Sequence, residues 1–242
     1  MTDLESKLMS TFIELTAADG FKFPAYEARP TGPVKGAIVV LQEIFGVNAH
    51  IRAVADGFAA QGYVAIAPAT FHRVKPGVEL GYTQEDIGAG VALKSAVEAL
   101  PASGVMQDIQ AAVDHAAQVS GTSGQPGAVG VVGYCWGGLL TWRAACLLTG
   151  VRAAVPYYGG GMTSAIEIAR HPKCPVRVHF AENDASIPLD GVASFKQAHP
   201  EVEVLMYPAT HGFNCDHRGA FDAAAAALAK ERTLAFFAQH LG

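Results

Sequence analysis

The chain has 242 residues, half of them hydrophobic, with 17 Lys plus Arg against 22 Asp plus Glu and a formal net charge of −5. That length fits one α/β domain over residues 1–242, and the apolar fraction supplies a sizeable core without low-complexity stretches. An acidic balance gives no electrostatic footprint for nucleic acid and no polybasic membrane patch.

The N-terminal stretch MTDLESKLMS is polar and carries acids early, which reads against a secretory leader. TFIELTA (11–17) and FKFPAYEA (21–28) flank ADG and read as an N-terminal β-hairpin. GAIVVLQE (36–43) follows as a buried strand, then a helix over 50–62 closed by Gly62, then the strand YVAIAP (63–68). Two helical patterns lie around 84–99 and 105–119, and the Gly/Ser-rich SGTSGQPG (120–127) is a surface loop. GAVGVVG (127–133) is the next strand, followed by a helix from about 136 to 148 and the strand RAAVPYYG (152–159). That helical run is the most apolar region, and Arg143 interrupts it well short of a membrane span. PVRVHFA (175–181) and VEVLMYP (202–208) are two further strands around a helix near 189–198, and an amphipathic helix closes the chain. Alternating strands and helices with continuous apolar strands predict a mostly parallel sheet covered on both faces.

In such sheets ligands bind beyond the carboxyl ends of the strands. The residues there form a pattern: Glu43 after 36–42, Cys135 after 127–133, Asp184 after 175–181 and His211 after 202–208. Nucleophile, acid and histidine stand in the chain order of an α/β-hydrolase triad, and GYCWG (133–137) has the G-x-S-x-G shape of a nucleophile elbow with cysteine in place of serine. At a helix N-terminus the unpaired amides favour a thiolate. His211 is suited to take the thiol proton, and Asp184 to orient the imidazole, although Glu182 of the same END tripeptide is a second acid there. The oxyanion hole falls to the N–H of Trp136 with one from the loop after 36–42, for which Ile44 is the candidate.

QEIFG (42–46), GYCWGG (133–138), ENDASIP (182–188) and HGFNC (211–215) together resemble the dienelactone hydrolase family, α/β-hydrolases with a cysteine nucleophile. The resemblance spans essentially the whole chain. It implies a Cys135–His211–Asp184 triad and a fourth participant, Glu43, which pairs with the resting thiol and is freed on substrate binding to take its proton. ATFHR (69–73) resembles the segment carrying an arginine that binds the substrate carboxylate, which makes Arg73 the candidate. A second substrate arginine of the family falls four residues after the catalytic histidine, where this chain has Cys215; Arg218 stands three residues further on as a possible substitute.

A thiolate is itself a good leaving group, so cysteine suits acyl groups whose other leaving group is also good. That favours enol-lactones and activated esters over amides and ordinary lipids. The family reaction that fits is hydrolysis of a dienelactone to maleylacetate in aromatic-compound catabolism, with a small carboxylate-bearing lactone as substrate. A broader carboxylesterase or thioesterase on the same triad, and a thiol redox sensor or ligand-binding protein on a hydrolase scaffold, are the alternatives. Cysteines 135, 146, 174 and 215 lack C-x-x-C and zinc-ligand spacing, as do His72, His179 and His217. Reduced thiols in a cytoplasm, no cofactor and no metal are therefore expected.

Overall fold

The computed structural model describes residues 9–101, 104–121 and 124–242. Residues 1–8, on which the reading against a leader largely rests, and 122–123 of the Gly/Ser-rich loop lie outside the described residues. The strands are β1 (Met9–Thr16), β2 (Lys22–Arg29), β3 (Gly36–Leu41), β4 (Tyr63–Pro68), β5 (Val129–Tyr134), β6 (Val151–Tyr157), β7 (Arg177–Ala181) and β8 (Glu203–Tyr207). The helices are α1 (Ala49–Ala59), α2 (Gln84–Glu98), α3 (Gly104–Ser120), α4 (Trp136–Leu147), α5 (Ala165–Ile168), α6 (Leu189–Ala198) and α7 (Ala223–Leu241). Each strand and helix expected from the sequence is present within a few residues. The single turn α5 was not anticipated, because four residues are too few to show a helical period.

All eight strands join one sheet in the order β1-β2-β4-β3-β5-β6-β7-β8. The expected hairpin β1–β2 pairs antiparallel and is joined antiparallel to β4, while the remaining pairs are parallel. β3, β4 and β5 are buried at every position, which is why they read as uninterrupted apolar runs. The chain crosses from β3 to β4 on one side and then returns to place β5 on the other. The crevice beyond β3 and β5 is thus the topological switch point of the sheet.

Helices cover both faces of the sheet. Phe58 of α1 meets Phe237 of α7 edge to face at 6.1 Å, and Trp142 of α4 meets Phe195 of α6 in the same way at 5.0 Å. Local chemistry sets the helix starts. Asn48 caps α1 by accepting from the Ile51 N–H at 3.2 Å, and Thr83 with Asp86 forms a reciprocal capping box at α2. No helix among the described residues is long and apolar enough to cross a membrane. Phe237 is fully buried, and its ring fills the space left where Gly130 of β5 has no side chain. Phe237→Ala is expected to destabilise the fold by about 3–5 kcal/mol, measured as a shift in the urea unfolding midpoint at unchanged slope.

Candidate active site

Cys135 occupies the single position between β5 and α4, with φ 56° and ψ −118°, a conformation that a residue with a side chain rarely adopts. Its N–H donates to the Tyr157 carbonyl at 3.1 Å, and its carbonyl accepts from Gly138 at 2.9 Å. The flanking glycines are there for want of space. A Cβ at Gly133 would sit 2.2 Å from the Gly137 carbonyl oxygen, and one at Gly137 would sit 2.4 Å from that of Leu41. The turn therefore closes on itself and on the end of β3. Cys135 is left half-buried at the start of α4, where the first amides, Trp136 among them, have no intrahelical acceptor.

His211, half-buried beyond β8, is bonded through Nδ1 to Asp184 Oδ2 at 2.7 Å. Asp184 is buried beyond β7, and its other oxygen accepts from the Ser186 N–H at 2.8 Å. Burial alone would push the imidazolium down. The hydrogen bond to Asp184 and the nearness of Cys135, with Coulombic attraction to both, outweigh it and raise His211 to about 10. Cys135, His211 and Asp184 are thus brought together, and Asp184 rather than Glu182 is the acid at the ring.

Glu43 is completely buried just past β3. Arg218 Nη1 donates to its Oε1 at 3.2 Å and the Tyr82 hydroxyl to its Oε2 at 3.3 Å. Among the described residues the hydrogen-bond partners of its carboxylate are these two, and Cys135 is not one of them. Arg218 enters the site because residue 212 is glycine: a Cβ there would lie 2.6 Å from the Arg218 Nη1. Its guanidinium lies over the rings of Phe45 and Tyr82, 5.6 and 5.8 Å from their centroids. Ile44 is buried directly after Glu43, so Ile44 and Trp136 lie beyond neighbouring strands.

The expectation for Arg73 is not met. Its guanidinium is bonded to Asp108 at 2.7–3.1 Å and to Asp19 at 2.8 and 3.0 Å, and it lies 4.2 Å over the ring of Phe21. The bonds to Asp108 and Asp19 hold its pKa well above the usual value. Two carboxylates of its own chain occupy the fork that a substrate would need, and Arg73 instead ties the β1–β2 turn to α3.

Two tyrosines at the site escaped the sequence reading. Tyr82 comes from an aperiodic loop and is positioned by the Asn48 side-chain amide, which donates to its hydroxyl at 3.2 Å. Tyr158 has φ 34°, stands edge to face with His211 at 5.1 Å, and has a buried hydroxyl without a hydrogen-bond partner. Its place immediately after β6 obeys the strand-end rule and was the available signal.

A parallel sheet with a nucleophile-elbow turn at its switch point defines an α/β-hydrolase fold. The sequence model of the dienelactone hydrolase family matches residues 23–241. A candidate carboxymethylenebutenolidase of Synechocystis is 36% identical over 84% of this chain and 86% of its own, and one of Escherichia coli K12 is 33% identical over 93% and 85%. The crystal structure of a candidate dienelactone hydrolase from Klebsiella pneumoniae superposes with a TM-score of 0.80 at 31% identity, covering 97% of this chain and all of its own. The chain belongs to the dienelactone hydrolase family. It is a hydrolase of the carboxymethylenebutenolidase type.

Folding raises the His211 pKa above its ordinary 6.5, so the resulting stability is complete below pH 6.5 and is lost as pH rises through about 10. An NMR titration of the His211 ring should give a midpoint near 10 in wild type, and Asp184→Asn should bring it down toward 6.5. A midpoint unmoved by Asp184→Asn would contradict the assignment. Arg73→Ala leaves buried Asp108 without its counter-charge and should cost about 3–5 kcal/mol of stability. In steady-state kinetics the same variant should leave the ratio of KM for anionic and neutral esters unchanged.

Proposed function

We propose that this protein hydrolyses enol-lactones or activated esters bearing a carboxylate, through a Cys135–His211–Asp184 triad and a thioester acyl-enzyme, with dienelactone to maleylacetate the leading reaction. The observation that carries this reading is the 2.7 Å His211–Asp184 bond on a ring that lies beside Cys135, at a glycine-flanked elbow. The Cys135 sulfur attacks the lactone carbonyl, and the oxyanion is held by the amides of Trp136 and Ile44. The ring C–O bond then breaks and its electron pair leaves as an enolate, which takes up the proton that Cys135 gave up and becomes the ketone. Water deprotonated by His211 cleaves the thioester and returns the thiol.

Glu43 is the acceptor of the Cys135 proton in this scheme. Its resting partner Arg218 supports a substrate-linked release: a substrate carboxylate competing for the guanidinium fork would free Glu43 from its ion pair. Arg218 thereby takes the carboxylate-binding role for which Arg73 is not available. No cofactor or metal enters these steps. The free state of all four cysteines supports a cytoplasmic setting, and the chain acts as one hydrolase domain, with a place in aromatic-compound catabolism.

The engagement of Arg73 with Asp19 and Asp108 favours a second, broader carboxylesterase or thioesterase reading, since it leaves a single arginine at the site. A steady-state assay pairing a dienelactone with p-nitrophenyl acetate separates the two. Wild type should consume the dienelactone in preference. Cys135→Ser should lose turnover by two or more orders of magnitude, on the order of what a positioned nucleophile contributes. Arg218→Gln should raise KM for the dienelactone far more than for the neutral ester. Turnover of the neutral ester alone would leave the triad standing and remove the lactone as substrate.

A further inference from the structure

Next to the nucleophile lies a cluster that the hydrolytic scheme uses only in part. One carboxylate oxygen of Glu43, one ring nitrogen of His50 and the Sγ of Cys215 lie within 4.8 Å of one another, and all three residues are buried. His50 is 3% exposed, with its Nδ1 3.2 Å from Asp216 Oδ1 and its Nε2 buried without a hydrogen-bond partner. With Nδ1–H donated to the Asp216 carboxylate, the imidazole lone pair resides on Nε2. That is how a carboxylate orients a histidine toward a metal ion.

We propose that Glu43, His50 and Cys215 form a binding site for a soft divalent cation of the zinc class, with Asp216 holding His50 in the ligating tautomer. Thiolate, imidazole and carboxylate together suit zinc rather than magnesium or calcium, which take oxygen ligands. Three protein ligands also leave a fourth, tetrahedral position for water. Bonds of about 2.1–2.3 Å place the ligand atoms about 3.6 Å apart around such an ion. The cluster therefore needs to close by an ångström or so.

The charges balance. Cys215 and Glu43 are both buried, so a dication there is met by a thiol sulfur and a carboxylate. When the ion binds, the Cys215 S–H bond breaks, the proton leaves to solvent, and sulfur donates its electron pair to the metal. Thiolate and carboxylate then neutralise the dication, and Arg218 at Glu43 Oε1 faces no excess positive charge. Tyr82 remains a donor to Glu43 Oε2, and the exposed His217 stands 5.6 Å from His50, ring to ring. His50 and Asp216 line a cavity of about 340 Å³ that Cys135 does not line. The consequence for catalysis rests on the function proposed above: an ion that ligates Glu43 withdraws it from the Cys135 proton.

The test uses the full-length protein, stripped with a chelator and titrated anaerobically with Co²⁺. Wild type should bind one equivalent, with thiolate-to-cobalt absorption in the near ultraviolet and tetrahedral ligand-field bands in the visible, and Zn²⁺ should displace it. Cys215→Ser should abolish the thiolate band. His50→Phe and, at the exposed Asp216, Asp216→Asn should each weaken binding by about tenfold or more. Absence of the band in wild type overturns the proposal. So does a band that survives Cys215→Ser but is lost in Cys135→Ser, which would put the ion on the nucleophile. In the ester assay Zn²⁺ should inhibit wild type and spare Cys215→Ser, and equal inhibition of both would also overturn it. Cobalt binding through Cys215 without inhibition would uphold the site and instead remove Glu43 from the proton-accepting role.

Discussion

The passage of the chain from β5 into α4 is the constraint on which the rest of the site depends. A strand buried on both faces must turn into a helix within a single residue, and that helix must start against the end of β3. Backbone atoms then approach so closely that Gly133 and Gly137 admit no side chain. Cys135 takes a left-handed φ that its side chain disfavours. The core on both sides holds the turn closed, and the strain is balanced by the burial of β3, β5 and the first turns of α4. Because α4 is pressed onto β3, Glu43, two residues past the end of that strand, is held on the same side of the sheet as Cys135.

Around this turn the buried charges fall into two linked groups. One is the His211–Asp184 pair, in which burial opposes the imidazolium and two partners favour it. The other is Glu43 with Arg218 and Tyr82, a carboxylate with no exposure whose ionic partner is supplied from seven residues beyond His211. A carboxylate in such surroundings is costly unless it is paired, so whatever displaces Arg218 or adds a cation at Glu43 alters its chemistry. Substrate carboxylate and metal ion, as proposed, would both act on this group. The third ion cluster, Arg73 with Asp19 and Asp108, lies elsewhere and serves to lock the hairpin turn against α3.

Much of this was legible in the sequence. The apolar runs at 36–41, 63–68 and 129–134 marked the sheet centre, since a strand buried on both faces has no polar alternation to hide it. The strand-end rule then singled out Glu43, Cys135, Asp184 and His211, which stand beyond β3, β5, β7 and β8 of one sheet. Arg73 misled because a motif gives the type of residue but not the partners of its guanidinium, and Asp108 is contributed by a helix thirty-five residues away. Tyr82 was hidden in a loop without periodicity, and His50 looked like any polar residue at the start of an amphipathic helix.

Sequence alone determined the alternation of strands and helices, the glycine-flanked cysteine and the chain order of acid and histidine, because each of these is a local property of spacing and residue type. Tertiary structure decided which acid meets His211, that Arg218 rather than Arg73 reaches the site, and that Glu43, His50 and Cys215 converge. These are pairings across the sheet and between loops, governed by strand order, by the room left at Gly212 and by the need of buried charges for partners. No periodicity along the chain encodes them.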